Sequence, residues 1–184
     1  MNDAQEQFCR LTGGIPDSTS DLCTVEYDAG DAFVDYDRRI LKLRRVTRDD
    51  RCPVEIVNDE DIQFGTRRPT PREGEVHAVV IGDDQHSMFL RDIPREDGEL
   101  NLHVLRLPLE EVTGPESQLE IDRQHHLHLL DWMKALAYSK QDAETYDKGK
   151  AEEFQASFAA YCDRVRTEQG RREHKPRTVA YGGL

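Results

Sequence analysis

The amino-acid sequence predicts an α+β chain with a short N-terminal helix, a central antiparallel β-subdomain, a C-terminal helical hairpin and an extended C-terminal tail. Three observations carry this. Between about residues 20 and 115 the apolar residues fall in short β-branched, aromatic or leucine-rich runs broken by Gly, Pro and Asp. Between about 119 and 173 they recur at helical steps of three and four. After that Pro176 breaks the helix, and the chain closes on the small, basic stretch Lys175–Leu184. The expected organisation is one α+β domain over 1–173, with the β-subdomain at about 20–115 and the hairpin at about 119–173, followed by a tail at 174–184.

Asn2 to Leu11 reads as the opening helix, anchored by Phe8 and Leu11 and ended by Gly13-Gly14-Ile15-Pro16. Strand segments follow at 22–27, 32–36, 40–46, 54–57, 76–81, 87–91 and 100–107, and Leu100 to Leu107 alternates most regularly, as a strand with one buried face does. The arginine- and proline-bearing stretch Gly65 to Gly74 reads as an exposed loop. In the hairpin, Leu129, Leu130, Trp132, Met133, Leu136 and Ala137 share one helical face, with Gln124, Asp131 and Lys134 opposite. Asp147 is placed to cap a second helix, in which Ala151, Phe154, Phe158, Tyr161 and Val165 form the matching stripe and Gly170 is a plausible stop. The hairpin core is therefore expected to be Leu129, Trp132, Met133 and Leu136 against Phe154, Phe158, Tyr161 and Val165.

The 184 residues carry a formal net charge of −12, with 36% hydrophobic and 34% charged residues. That is lean for a self-sufficient monomer and suggests that a partner chain completes part of the core. Net acidity argues against duplex binding, which needs clustered Lys and Arg to neutralise phosphates. The charge is segregated: residues 1–37 hold nine acids against Arg10, whereas Arg38, Arg39, Lys42, Arg44, Arg45 and Arg48 face no acid between 38 and 48. Such polarity can set the register of neighbouring subunits. The scattered Cys9, Cys23, Cys52 and Cys162 read as reduced structural thiols, and neither a secretory leader nor a membrane span is recognisable, so a soluble protein made in the cytoplasm is expected.

No catalytic signature stands out: the chain lacks a Gly-x-Ser-x-Gly elbow, a phosphate loop and a dinucleotide fingerprint. His125 and His128 could converge on a helix and, with a carboxylate, hold a metal. Packing at an interface is the favoured reading of the same histidines, and Asp59-Glu60-Asp61 and Asp83-Asp84 read as solvated turns. No catalytic residue, metal or cofactor is expected, and a small metal-dependent enzyme is the least favoured alternative.

The segment Leu119-Glu120-Ile121 to His126, then Leu130-Asp131-Trp132-Met133 and Ala137 to Asp147, continuing through Phe154 and Phe158 to Pro176-Arg177-Thr178-Val179-Ala180-Tyr181-Gly182-Gly183, resembles the C-terminal half of tailed-phage head-to-tail connector proteins, also called adaptor or head-completion proteins. More loosely, Ile40 to Val46 and Leu105 to Pro108 resemble the β-insertion of that group, while the short N-terminal helix departs from the fuller helical start of its members.

The resemblance implies a structural virion protein forming a ring, commonly dodecameric, beneath the portal protein in the neck between capsid and tail. DNA would pass through the lumen without specific binding, and downstream tail or neck proteins would attach below. Carried onto this chain, the portal-docking residues would be Arg171, Arg172, Lys175, Pro176, Arg177, Thr178, Val179, Ala180, Tyr181, Gly182, Gly183 and Leu184. The chemistry of that segment agrees: Thr178 to Tyr181 can add a strand to a partner edge, while Arg172, Lys175 and Arg177 can pair with carboxylates. Another neck or tail-terminator ring protein, docking through its sheet, is the alternative within the same class.

Overall fold

The computed structural model describes residues 1–61, 72–82, 86–114, 116–141 and 144–173. The chain divides into two compact units, one of residues 14–109 and one of residues 1–13 together with the chain from 110 onward. The expected α+β class holds, with helices in one unit and strands in the other. The β unit starts and ends about six residues earlier than the composition suggested.

Ten strands occur among the described residues: β1 Ile15–Asp17, β2 Thr24–Tyr27, β3 Phe33–Asp35, β4 Ile40–Arg48, β5 Pro53–Asn58, β6 Arg72–Gly74, β7 Ala78–Ile81, β8 Ser87–Leu90, β9 Asp92–Pro94 and β10 Gly98–Arg106. Eight of them make one sheet in the order β1-β10-β4-β5-β7-β8-β3, with β2 also on β10; β6 and β9 form a separate pair. Each of the seven strand segments read from sequence contains a strand. The pairing is antiparallel except for β5 with β7 and β6 with β9, which are parallel, so the subdomain is mixed rather than wholly antiparallel. Part of the anticipated 65–74 loop is strand β6, and residues 62–71 lie outside the described residues.

β10 keeps its alternation: Leu100, Leu102 and Val104 face the core, joined by Val46, Val79, Met88 and Leu90 from neighbouring strands. β4 does not alternate, burying Ile40, Leu43 and Val46 at steps of three. The register explains it, since Leu43 follows Arg45 opposite Val104 and His103, and Ile40 follows Lys42 opposite Arg106 and Leu105. Arg44 and Leu41 are thus extra residues in two bulges, which bend the strand and leave Lys42, Arg44 and Arg45 exposed. Where the chain enters the sheet, Gly14 has φ +96°, and a Cβ there would stand 2.9 Å from the Arg106 carbonyl oxygen, so only glycine fits.

Two buried arginines close the β unit. Arg106 pairs with Asp17, both side chains at most one-tenth exposed, and also donates to the Leu107 carbonyl. Burial alone would push the Asp17 carboxyl up, but hydrogen bonds from Ser20, the Thr19 amide and Arg106 outweigh it and hold the group well below the usual carboxylate range. Arg48 pairs at 2.7 Å with both Asp50 and Glu75.

In the helical unit α1 spans Asn2–Thr12, burying Ala4, Phe8 and Cys9, and stops at Gly13, whose φ of +104° lets its amide reach the Cys9 carbonyl. The hairpin consists of α2 His126–Ser139 and α3 Lys148–Glu173. Asp147 caps α3 as expected, its Oδ1 accepting the Lys150 amide at 3.0 Å. α3 runs through Gly170 to Glu173, beyond the stop suggested by that glycine, giving a helix about 39 Å long.

Candidate docking surfaces

α2 and α3 are joined by a ladder of rings. Tyr138 stacks on Phe154 with centroids 5.8 Å apart, Trp132 meets Phe158 at 5.3 Å, and His128 stacks on Tyr161 at 3.4 Å. His125 Nδ1 also shares a 2.8 Å hydrogen bond with the Tyr161 hydroxyl, and its ring contacts Phe8 of α1. Trp132 ties α1 down as well, donating from Nε1 to Asp3 at 2.6 Å. Leu129 and Phe158 are fully buried and Val165 nearly so, while Trp132, Met133, Phe154 and Tyr161 are half-buried.

One expected core position fails: Leu136 is 39% exposed, and Ala135 is buried in its place. Leu136 stands two turns beyond the fully buried Leu129 on the same face, in the last turn of α2, where less of the subunit covers it. Leu130, at 38% exposure, and Leu127, at 76%, are exposed as well. Cys162 fills the space between Phe158 and Val165 in the stripe, and burial pushes its thiol up to about 12. Cysteine is not marked as core by a leucine-based pattern.

At the far end of α3, Arg171 and Arg172 are exposed in the last turn, where cations favour the helix dipole. The rest of the expected docking segment, Lys175, Pro176, Arg177, Thr178, Val179, Ala180, Tyr181, Gly182, Gly183 and Leu184, lies outside the described residues. In the β unit, Asp21, Glu26, Asp35 and Asp37 line one open groove, and Lys42 and Arg44 another. Arg39 grips both oxygens of Asp37 and, with its own amide, brings that carboxyl down to about 2.

The histidines are committed to packing. His126 donates from Nε2 to the Ile121 carbonyl at 2.7 Å, and His125 uses Nδ1 on Tyr161. Among the described residues no group of three or more His, Cys, Asp or Glu could hold a metal ion. Asp83-Asp84 falls outside the described residues.

Burial lowers the pKa of His125 from its ordinary 6.5, helped by His128 and His126; Asp122 and Glu168 pull the other way without compensating. The unfolded chain therefore takes up its proton first as the pH drops. Stability from this site is complete above about 6.5 and declines below it, until the folded imidazole also titrates. Thermal midpoints of the helical signal measured between pH 8 and 5 should fall more steeply for the native chain than for a His125→Gln variant. Parallel curves would show that His125 does not contribute.

A family model described as SU10 adaptor protein matches residues 1–180, spanning both units and reaching into the terminal segment. The chain belongs to this family. No curated protein matches it. The adaptor is thus a phage structural protein of the head-to-tail connection, as the resemblance of its C-terminal half indicated, and works in contact with other head and tail proteins of the virion neck. Among its described residues no helix is long and apolar enough to cross a membrane. The match runs well beyond the stretch of specific likeness at 119–183, taking in α1 and the whole β unit.

Proposed function

We propose that the adaptor assembles into a ring under the portal protein, that DNA passes through the lumen of this ring without specific binding, and that the segment from Arg171 to Leu184 docks on the portal. The observation that carries the reading is the family match over residues 1–180. It is supported by a 26-residue helix that presents Arg171 and Arg172 on its last turn directly before the terminal segment. A helix of this length gives such a segment a fixed origin, and a weak contact gains strength when many copies engage at once. The overall charge of −12 keeps the protein from adhering to the passing genome.

Deleting residues 175–184 tests the docking step. The truncated adaptor should retain its helical signal and lose binding to purified portal rings by roughly 100-fold or more, the scale on which multivalent attachment collapses when its contact is removed. Binding at native strength would instead favour a neck ring that docks through its sheet.

A further inference from the structure

α2 carries apolar side chains on the side turned away from α3. Leu127, Leu130 and Ala137 recur there at steps of three and seven, all exposed, with Leu127 at 76%. The exposed side of α3 has the opposite relief: Ala156 and Ala160 form a shallow seam with no large apolar side chain. Charge follows relief. Basic residues, Arg123 and Lys134, lie one turn before Leu127 and one turn after Leu130, whereas Glu153 precedes the seam and Asp163 follows it, beside Arg164, whose guanidinium lies over the Tyr161 ring. Glu153, Asp163 and Arg123 make no ion pair among the described residues; Lys134 holds Asp131 at 3.5 Å. Glu153 and Asp163 stand about 15 Å apart along the helix axis, close to the reach from Arg123 to Lys134.

We propose that the Leu127–Leu130–Ala137 ridge of one copy packs into the Ala156–Ala160 seam of the next. The ridge and the seam lie on different faces of one chain, so the contact is heterologous: each copy gives a ridge to one neighbour and a seam to the other, which generates a ring when the rotation closes. Ridge and groove allow the close helix approach that side-chain interdigitation needs, and the bracketing charges fix the register. A second copy fits better than another apolar protein because both halves of the match, in shape and in sign, are present on this chain. The inference rests on the ring reading above and names its interface.

The test uses the full-length adaptor. Mass photometry over a concentration series, alone and on portal rings, reports assembly, and circular dichroism reports folding. Leu127→Glu with Leu130→Glu should weaken assembly by at least roughly 100-fold, from two leucines no longer buried, with the helical signal retained; Leu127→Glu alone, at a side chain 76% exposed in the subunit, should weaken assembly with an unchanged melting temperature. Ala160→Trp, which fills the seam, should do the same. Glu153→Arg with Asp163→Arg should weaken assembly, and adding Arg123→Glu should restore part of it. Native-strength assembly by the leucine and tryptophan variants would overturn this interface while leaving the ring intact. A native chain that stays monomeric both alone and on portal rings would overturn the ring and the interface together.

Discussion

Arg106→Ala is expected to destabilise the β unit by about 3–5 kcal/mol, the cost of removing one member of a buried ion pair. Asp17 would be left with its carboxylate in a site where its side chain is 7% exposed. The Ser20 hydroxyl and the Thr19 and Ser20 amides would still hold it, so the loss comes from the missing guanidinium and not from a wholly orphaned acid. The pH signature follows from the lowered pKa of Asp17. Its contribution is present above the ordinary carboxylate range near 3.8 and is lost as the pH falls through the lower folded value. Urea unfolding followed by the strand signal at pH 7 should show the full loss in the Arg106→Ala variant. An Asp17→Asn, Arg106→Leu double variant should lose less than the single one, because no charge remains buried. A single variant as stable as the native protein would mean that the pair contributes nothing.

The helical unit should respond as strongly to Phe158→Ala, with an expected loss of about 3–5 kcal/mol for a large aromatic removed from a packed interior. Phe158 has no exposed surface, and its ring meets Trp132, which in turn holds Asp3 of α1. The cavity would therefore loosen the N-terminal helix along with the hairpin. Trp132 is the only tryptophan of the chain, so its fluorescence reports this site directly, and the variant should unfold at lower denaturant with a red-shifted native spectrum. A midpoint within error of the native one would show that the stripe does not join the two helices. Leu136→Ala offers the contrast: its side chain is already 39% exposed, and its loss should cost far less.

Where the sequence pattern has one period it was legible. Leu100 to Arg106 alternates and forms the strand with the clearest inward face; Asp147 stands before a helical stripe and caps it. Where local and tertiary terms compete it was not. β4 reads as a strand, yet its two bulges, invisible to a period of two, decide which of its basic residues point outward. β1, β6 and β9 are three-residue strands with prolines in two of them, too short to carry any periodicity. The parallel pairing of β5 and β7 depends on the path of the intervening chain, not on either strand's own composition. In the hairpin, hydrophobicity alone ranks Leu136 above His125 and His128. Both histidines are half-buried nonetheless, because His128 stacks on Tyr161 and His125 shares a hydrogen bond with its hydroxyl, contacts that hydrophobicity does not rank. Of the exposed leucines of α2, Leu136 was expected in the core and Leu130 on the apolar face, while Leu127 was assigned to neither. Of the docking surface, only Arg171 and Arg172 lie among the described residues, at the end of a helix that runs past Gly170 to Glu173, where the hairpin was expected to end.

The four cysteines were read together as reduced structural thiols; Cys52 sits exposed in the turn after β4, while Cys9, Cys23 and Cys162 are buried and burial raises the pKa of Cys23 and Cys162. Reaction with a maleimide needs access, and access separates Cys52 from the three buried thiols. The natural chain thus carries its own single attachment point for a fluorophore or gold particle, through which one face of the β unit can be located in an intact virion without any substitution.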